Sequence, residues 1–302
     1  MSLDHPEQNT RPLTALEKKQ ELLAHHVRLV AKKMSHALFA FGSQGGLGKS
    51  RTIIKVLDEH GIEPILINSH VTPLALFGIL YEHREDSLLF FDDTDSMFSS
   101  MVHLGLLRSA LWGSPRIVTY NSSQLPEGLP SSFEFSSRVI FAANVIPKND
   151  AFKAVLSRVD QFDLSATNGE VIEAMRSIAA KGFQGVTVEE CEAVIDFIEE
   201  QSEDRQLSLR LLGPSLRKLK YARDEGIDWR PLVKSQLSNL GRKQVATKRL
   251  DNKTADIRVM KAAIRKHPES PSEQQLYWCN KTGKSRASFF RTKKRIEASV
   301  EA

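Results

Sequence analysis

Residues 37–50 carry the sequence Ala37-Leu38-Phe39-Ala40-Phe41-Gly42-Ser43-Gln44-Gly45-Gly46-Leu47-Gly48-Lys49-Ser50. The first five residues are apolar and of strand length, which predicts a buried β-strand. The glycine-rich residues after them predict a tight loop, and Ile53, Val56 and Leu57 recur at helical spacing. The stretch therefore predicts a strand that delivers a glycine-rich loop to the start of a helix.

The end of this loop, Gly48-Lys49-Ser50, matches the end of the phosphate-binding pattern G-x-x-x-x-G-K-S/T. In such a loop the backbone N–H groups surround phosphate oxygens, the lysine contacts the terminal phosphates and the hydroxyl binds Mg²⁺. The first glycine of the pattern is replaced by Ser43, with Gly42 one position early, and an ordinary surface turn is the alternative. We expect contacts to ATP from Ser43, Gln44, Gly45, Gly46, Leu47, Gly48, Lys49, Ser50 and Arg51, with Ser50 also a ligand of Mg²⁺.

Two carboxylates follow a second apolar run. Residues Ser87–Phe91 lead directly into Asp92 and Asp93. This places both carboxylates at the C-terminal end of a predicted strand, where open parallel sheets bind their ligands. Asp92 is suited to hold Mg²⁺ through water, and Asp93 to orient or deprotonate the attacking water in phosphoryl transfer. A strand that simply ends in an acidic turn is the alternative.

Further strand-length runs alternate with helical patterns. We predict strands at 64–68, 116–120 and 138–142 and helices at 14–33, 74–82 and 104–111. This alternation predicts an α/β fold, a parallel sheet with helices on both faces. Residues 121–137 are rich in Ser, Pro and Gly, and predict a loop with Phe133 and Phe135 partly buried; a hairpin projecting toward a ring pore is the alternative.

The bulk composition, 41% hydrophobic and 26% charged over 302 residues, is that of a globular protein with more than one domain. No apolar run is long enough to span a membrane, and the polar start Met1–Pro6 lacks the order of a secretory signal, so we expect a cytoplasmic protein. Cys191 and Cys279 lie far apart in the sequence. We therefore expect reduced thiols and no metal site besides the nucleotide-linked Mg²⁺.

The charge is distributed unevenly along the chain. Residues 242–302 hold 16 Lys and Arg against 6 Asp and Glu, a net charge of +10, whereas residues 1–241 carry −5. Helical patterns at 254–266 and 272–280 are followed by a glycine-containing turn and a third, basic helix capped by Ser285. Three short helices of this kind look like a helix-turn-helix DNA-binding module. A helical cap with a solvated basic face is the alternative.

In the DNA-binding interpretation, the third helix lies toward the groove and its side chains contact bases or phosphates. The residues that we expect to contact DNA are Lys284, Ser285, Arg286, Ser288, Arg291, Lys293, Lys294 and Arg295. The base sequence that they recognise does not follow from this pattern.

The order of the motifs resembles that of the AAA+ ATPases, in particular the clamp-loader and replication-initiator branches. A phosphate-binding loop is followed by the strand Leu88–Asp93, by a strand that ends at Asn144, and by Ser157-Arg158-Val159. The resemblance covers residues 37–222 and rests on several weak motifs in the right order. Residues 171–239 are mostly helical in pattern, which predicts a small helical lid after the sheet.

The resemblance also implies roles for single residues. Asn144 matches the family's first sensor, which holds the lytic water, and Arg158 matches the arginine finger, which reaches the nucleotide of a neighbouring subunit. Arg210 is the expected second sensor on the lid, with Arg217 as its competitor. Asp93 stands where the family usually has Glu; because its side chain is one methylene shorter, slow hydrolysis or a switch remains open.

The function implied is that of an ATP-hydrolysing protein that assembles as a homo-oligomeric ring or spiral on DNA. Its task would be of the replication type, namely origin remodelling, helicase loading or unwinding, with a replicative helicase or another DNA-processing protein as partner. The alternatives are a nucleotide-switched DNA-binding regulator with little turnover, and a helper ATPase of transposition or recombination. The expected domains are a helical lead-in at 1–36, the ATPase core at 37–166, the lid at 167–240, a linker at 241–253 and the DNA-binding module at 254–302.

Overall fold

The computed structural model divides the chain into two compact units, Met1–Gly241 and Arg242–Ala302. It describes residues 11–42, 45–68, 70–123, 125–144, 146, 150–202, 205–238, 259–260, 262–268, 270–282 and 285–297. In the described part of the chain, no helix is long and apolar enough to cross a membrane. Cys191 and Cys279 are both free thiols.

The first unit contains seven strands and nine α-helices among the described residues. The strands are β1 (Ala37–Phe41), β2 (Ile65–Ile67), β3 (Leu88–Asp92), β4 (Ile117–Thr119), β5 (Ser132–Glu134), β6 (Arg138–Ala143) and β7 (Asp160–Asp163). The helices are α1 (Ala15–Ala31), α2 (Lys49–Glu59), α3 (Pro73–Glu82), α4 (Met101–Leu111), α5 (Asp150–Leu156), α6 (Asn168–Ala179), α7 (Val188–Glu200), α8 (Leu212–Glu225) and α9 (Arg230–Ser238). Short 3-10 helices lie at Asp95–Ser99 and Leu209–Leu211.

Five of the strands form one parallel sheet in the order β2-β3-β6-β1-β7. Side chains alternate between its faces: Phe39 and Phe141 pack with α3, α4 and α5 in one core, whereas Leu38 and Ile140 pack with α1, α2 and the helices α6 to α9 in the other. The predicted α/β fold, with helices on both faces of a parallel sheet and a helical lid behind it, is therefore confirmed.

The strand predicted at 116–120 and the loop predicted at 121–137 both differ from the structure. The strand predicted at 116–120 is β4, which does not join the parallel sheet but pairs antiparallel with β5. Only its central residue, Val118, is buried, which is the pattern of a half-exposed hairpin strand. The segment 121–137 thus contains a hairpin strand, and its Phe133 and Phe135 are nevertheless buried, at 8% and 1% exposure.

The fifth strand of the sheet, β7, was not predicted. Its sequence is Asp160-Gln161-Phe162-Asp163, in which only Phe162 is buried. A strand at the edge of a sheet has one unpaired side and needs little apolar surface. Its hydropathy therefore gives no strand signal, and only its pairing with β1 defines it.

The second unit is helical in its described residues. Residues 259–260 and 262–266 are helical, followed by α10 (Pro271–Thr282) and α11 (Arg286–Glu297). Met260, Ala263, Trp278 and Phe289 form a small buried core. The predicted all-helical C-terminal region is confirmed for these residues; the linker at 241–253 and the start of the helix predicted from 254 lie outside the described part of the chain.

Candidate functional site

The carboxyl ends of three neighbouring strands meet at one edge of the parallel sheet. Asp92 of β3 pairs with Ala142 of β6, and Phe41 of β1 pairs with Ala143 of β6. The loop after β1, the residues after Asp92 and the residue after Ala143 therefore lie side by side. This register brings the glycine-rich loop, the paired carboxylates and Asn144 together at one site.

The glycine-rich loop leads directly into α2, which begins at Lys49. Gly48 is the N-cap of this helix and has a left-handed backbone, with φ at 91°, which glycine adopts without the strain that a Cβ would cause. The first N–H groups of a helix have no partner within it and form a natural anion-binding site. Ser43 and Gln44, predicted to take part in this loop, lie outside the described residues.

Hydrogen bonds join the side chains at this edge into one pair and one series of three. Ser50 Oγ donates to Asp92 Oδ1 at 2.8 Å. Lys49 Nζ donates to Asn144 Oδ1 at 3.2 Å, and Asn144 Nδ2 donates to Asp93 Oδ1 at 3.0 Å. The predicted magnesium ligands Ser50 and Asp92 thus contact each other, and the predicted catalytic residues Asn144 and Asp93 contact each other beside them.

Asp93 adopts an unusual backbone conformation. Its φ is +52°, in the left-handed region that Asp tolerates better than most residues, and its N–H donates to Ala142 O at 3.3 Å. This turn takes the chain out of β3 and leaves the Asp93 carboxylate exposed beside Asn144. Backbone strain of this kind accumulates at functional sites.

Burial dominates the electrostatics of the site. Burial lowers the pKa of Lys49, which is only 7% exposed, while the charges of Asp93 and Asp92 oppose that shift. Burial likewise raises the pKa of Asp92, and the hydrogen bond from Ser50 counteracts it in part. A partly desolvated lysine thus lies beside partly desolvated carboxylates, and perturbed groups of this kind cluster at functional sites.

Asp95 is a third carboxylate at the site, and the sequence interpretation missed it. The backbone N–H of Asn144 donates to its carboxylate, and burial raises its pKa. Its Oδ1 is buried and has no hydrogen-bond partner among the described residues. The closeness of Asp95 to Asp92 and Asp93 in the sequence was the available signal; Asp95 is the first residue of the 3-10 helix that follows β3.

The glycine-rich loop, the ends of β3 and β6 and the lid line a cavity of about 360 Å³. Its polar wall contains Gly46, Gly48, Lys49, Ser50, Arg51, Asp92, Asp93, Asn144 and Arg210. Its apolar wall, which the sequence interpretation did not identify, contains Ile178, Phe183, Leu209 and Leu212 from the helical lid. Of the predicted loop residues, Leu47 is fully buried, and a Cβ on Gly45 would lie 3.8 Å from Asn144 Oδ1.

The three arginines considered from the sequence lie in different places. Arg210 reaches the glycine-rich loop: a Cβ on Gly46 would lie 2.7 Å from Arg210 Cγ. Arg217 does not line the cavity, although its Nη1 lies near Gly213, which does. Arg158 is also absent from the cavity wall and packs against Trp112 instead.

Side chains of helix α1 contact the glycine-rich loop, a contact that was not predicted. Gln20 Nε2 donates to the carbonyl of Leu47 at 2.7 Å. Lys19 Nζ donates to Ser165 O and forms an ion pair with Glu170 of α6 at 2.7 Å. One helix therefore contacts both the glycine-rich loop and the first lid helix.

In the second unit, Ser285 precedes α11 and its carbonyl accepts from the N–H of Ser288 at 2.9 Å. Arg286 is exposed and lies over the Phe290 ring at 5.7 Å. Lys293 Nζ donates to Gln274 Oε1 at 3.0 Å, so this cation also joins α11 to α10. Lys284 and the side chains of Arg291, Lys294 and Arg295 lie outside what the structure describes.

No family model matches this chain. It is 31% identical over 152 residues to an uncharacterised 36.7 kDa protein from the nrdC–mobD intergenic region of Enterobacteria phage T4. That alignment covers 44% of this chain and 46% of the phage protein, so it spans about half of the length of this relative. Its name assigns it no activity.

Two solved structures from Thermotoga maritima resemble the fold. RuvB, described as a Holliday junction branch migration motor, is 14% identical, covers 90% of this chain and 83% of its own, and gives a TM-score of 0.44. Domain III of the replication initiation protein DnaA is 16% identical, covers 73% of this chain and 93% of its own, and gives a TM-score of 0.47. Both scores lie below 0.5.

Proposed function

We propose that this chain is an ATPase of the AAA+ type that assembles on DNA for a replication-type task. The observation that carries the proposal is the hydrogen-bonded series from Lys49 through Asn144 to Asp93, beside the Ser50–Asp92 pair, in a single cavity. A helix N-terminus with a lysine supplies phosphate binding, and the carboxylate and amide supply the groups that position water. In this assignment residues 37–166 are the ATPase core, 167–240 the lid and 254–302 the DNA-binding module.

The residues present fit a magnesium ion. Ser50 and Asp92 offer only oxygen ligands, and Mg²⁺ is commonly held by one or two carboxylates together with substrate phosphates. Among the described residues no group of three or more His, Cys, Asp or Glu side chains is arranged to hold a metal. When bound, Mg²⁺ neutralises charge on the phosphates.

Different parts of the cavity wall would contact the two ends of a nucleotide. The N–H groups at the start of α2, with Lys49 and Arg210, receive the phosphates. Ile178 and Phe183 provide an apolar surface of the kind that receives a nucleobase. Asp93 then orients the attacking water, and Asn144 fixes the Asp93 carboxylate.

The proposed assembly uses Arg158 as a residue supplied to another copy. It does not line the cavity of its own chain, which is compatible with a guanidinium that contacts the triphosphate of a neighbouring copy. Repetition of that head-to-tail contact generates a ring or a spiral. Residues 242–302, with a net charge of +10, then supply the electrostatic attraction to DNA.

A switch with little turnover is the second candidate function. It is favoured by the contact between Asp93 and Asn144, because the amide holds a carboxylate that is already one methylene shorter than Glu. Release of phosphate at saturating DNA separates the two functions. ATP binding without detectable phosphate release would favour the switch.

The proposed ATPase is tested with Arg158→Ala. We expect this variant to bind ATP as the wild type does and to lose both ATP-dependent oligomerisation and DNA-stimulated hydrolysis. The matched control is Arg205→Ala, because Arg205 lies in the lid and also outside the cavity wall. Unchanged hydrolysis and oligomer size in Arg158→Ala would contradict the head-to-tail arrangement.

A further inference from the structure

A groove of about 670 Å³ lies outside the nucleotide cavity and is lined in part by Arg108, Trp112, Ile117 and Arg158. We call it the Trp112 groove. Trp112 directly follows α4 and is 64% exposed, and Ile117 of β4 is 45% exposed. The groove therefore combines an exposed Trp and Ile with two arginines, and Trp and Arg are among the residues most enriched where interfaces gain their affinity.

Arg158 lies over the Trp112 ring in this groove. Its guanidinium carbon is 5.5 Å from the ring centroid, a distance at which a cation is attracted to the face of an aromatic ring. Arg158 Nη1 also donates to the carbonyl of Ala154, which anchors the side chain to the end of α5. The Nε atom is buried and has no hydrogen-bond partner among the described residues.

These contacts hold the guanidinium in one orientation without neutralising it. The indole ring provides a flat support and no formal charge, so the cation keeps its capacity to bind an anion. An arginine that must reach a phosphate in another molecule loses conformational entropy on contact unless it is already held in place. The Trp112 ring supplies such preorganisation.

We propose that Trp112 is the positioning residue of Arg158, and that a second copy of this chain covers the Trp112 groove when the protein assembles with ATP. This inference rests on the proposed function, in which Arg158 acts on the nucleotide of a neighbouring copy. The occupant follows from charge: Arg108 and Arg158 give the groove two cations, and the nucleotide cavity of another copy presents polyphosphate beside the exposed Asp93 carboxylate.

The test compares Trp112→Ala with Trp112→Phe in the full-length chain. Trp112→Ala removes the support, and we expect kcat for DNA-stimulated hydrolysis to fall about tenfold while KM for ATP changes little. Trp112→Phe keeps an aromatic face, and we expect it to retain kcat within about threefold of the wild type. The double variant Trp112→Ala/Arg158→Ala should be no slower than Arg158→Ala alone, because the two residues act as one unit.

Tryptophan fluorescence gives a second measurement that does not depend on the alanine variant. The chain contains three tryptophans, so subtraction of the Trp112→Phe spectrum from the wild-type spectrum isolates the emission of Trp112. We expect this emission to shift to shorter wavelength when ATP induces assembly. A shift on adding DNA without ATP would place DNA on the groove and overturn the proposal.

The failure of this proposal is distinguishable from failure of the proposed function. If Arg158→Ala abolishes hydrolysis while Trp112→Ala retains wild-type kcat and Trp112 emission does not change on assembly, the positioning role is wrong and the ATPase stands. If the wild type neither oligomerises with ATP nor depends on Arg158, the head-to-tail ATPase is wrong, and the role of Trp112 is contradicted with it.

Discussion

At the scale of single residues, the site is a set of polar side chains that hydrogen-bond one another, from the buried Lys49 to the exposed Asp93. Lys49, Asn144 and Asp93 form a continuous hydrogen-bonded series, and Ser50 and Asp92 form a separate pair. Each of these contacts replaces water around a charged or polar group. That desolvation shifts the pKa values of Lys49 and Asp92, and in the proposed function nucleotide and Mg²⁺ would compensate for it.

Replacement of Asp93 separates binding from hydrolysis. We expect Asp93→Ala to bind ATP as the wild type does and to hydrolyse it about a hundredfold more slowly, because a positioned general base contributes at least that factor. Asp93→Glu restores the reach of the longer carboxylate and should hydrolyse ATP at least as fast as the wild type. Steady-state phosphate release with saturating ATP and DNA measures both variants. Equal rates in Asp93→Ala and the wild type would remove Asp93 from the mechanism.

Part of the site was predictable from short sequence patterns, and part was not. The loop ending at Lys49 and the carboxylates after Phe91 are contiguous in sequence, so local spacing is enough to identify them. Asp95 was not assigned because its contact with the backbone of Asn144 joins residues that are far apart in the sequence. Ile178 and Phe183 could not be assigned, because apolar residues of a helical lid look like core until the cavity is seen.

At the scale of secondary-structure elements, α1 connects the glycine-rich loop to the lid. Gln20 and Lys19 are neighbours on this helix, and they contact the Leu47 carbonyl and Glu170 of α6 respectively. The apolar runs of β1, β3 and β6 predicted the centre of the sheet, since buried parallel strands are continuously apolar. The edge strand β7 and the hairpin β4–β5 could not be placed in this way, because their few buried residues carry no such signal.

The contact between α1 and the loop is tested with Gln20→Ala. Loss of the hydrogen bond frees the Leu47 carbonyl and loosens the loop, so we expect the Kd for ATP to rise about fivefold. Lys18→Ala is the control, because Lys18 is an exposed neighbour on the same helix. Equilibrium titration with a fluorescent ATP analogue measures both. An unchanged Kd in Gln20→Ala would show that the hydrogen bond from Gln20 to Leu47 plays no part in ATP binding.

We expect Glu17, near the start of α1, to stabilise the fold at neutral pH and to lose this effect in acid. The hydrogen bond from Arg11, together with those from Thr14 and Ser177, lowers the pKa of Glu17 from 4.5 to about 2. Because the folded state holds the ionised form, the stabilisation is complete above pH 4.5 and is lost as the pH falls toward 2. The Tm of Glu17→Gln should therefore lie below that of the wild type at pH 6, with the difference shrinking between pH 4.5 and 2.

Glu21→Gln is the control for this measurement, because Glu21 is exposed on the same helix. Thermal unfolding followed by circular dichroism across the pH range gives all three curves. A Tm difference for Glu17→Gln that stays constant from pH 6 to pH 3 would contradict the assignment of the stabilisation to the ionised carboxylate.

At the scale of the whole molecule, the first unit is acidic and the second is basic. In the proposed function the first unit hydrolyses ATP and the second binds DNA. Residues 1–241 carry −5 and residues 242–302 carry +10. Attraction to a polyanion therefore belongs to the second unit, whose described helices enclose their own core of Met260, Ala263, Trp278 and Phe289.

Removal of residues 242–302 tests this division. We expect the truncated chain to keep its Kd for ATP and to lose at least about a hundredfold in affinity for duplex DNA, because the phosphate contacts are removed together. Fluorescence anisotropy with a labelled duplex, repeated at several salt concentrations, measures the loss and its salt dependence. Retained duplex affinity would place the DNA site in the first unit.

The most direct test of the account is calorimetric titration of Mg²⁺ and ATP into the wild type, Lys49→Ala and Lys55→Ala. Lys55 lies on the same helix as Lys49, but its side chain is 74% exposed, so it is the matched control. We predict binding of one ATP per chain to the wild type and to Lys55→Ala, and a Kd at least about tenfold higher for Lys49→Ala. Absence of ATP binding by the folded wild type, or equal affinity in all three proteins, would contradict the nucleotide site.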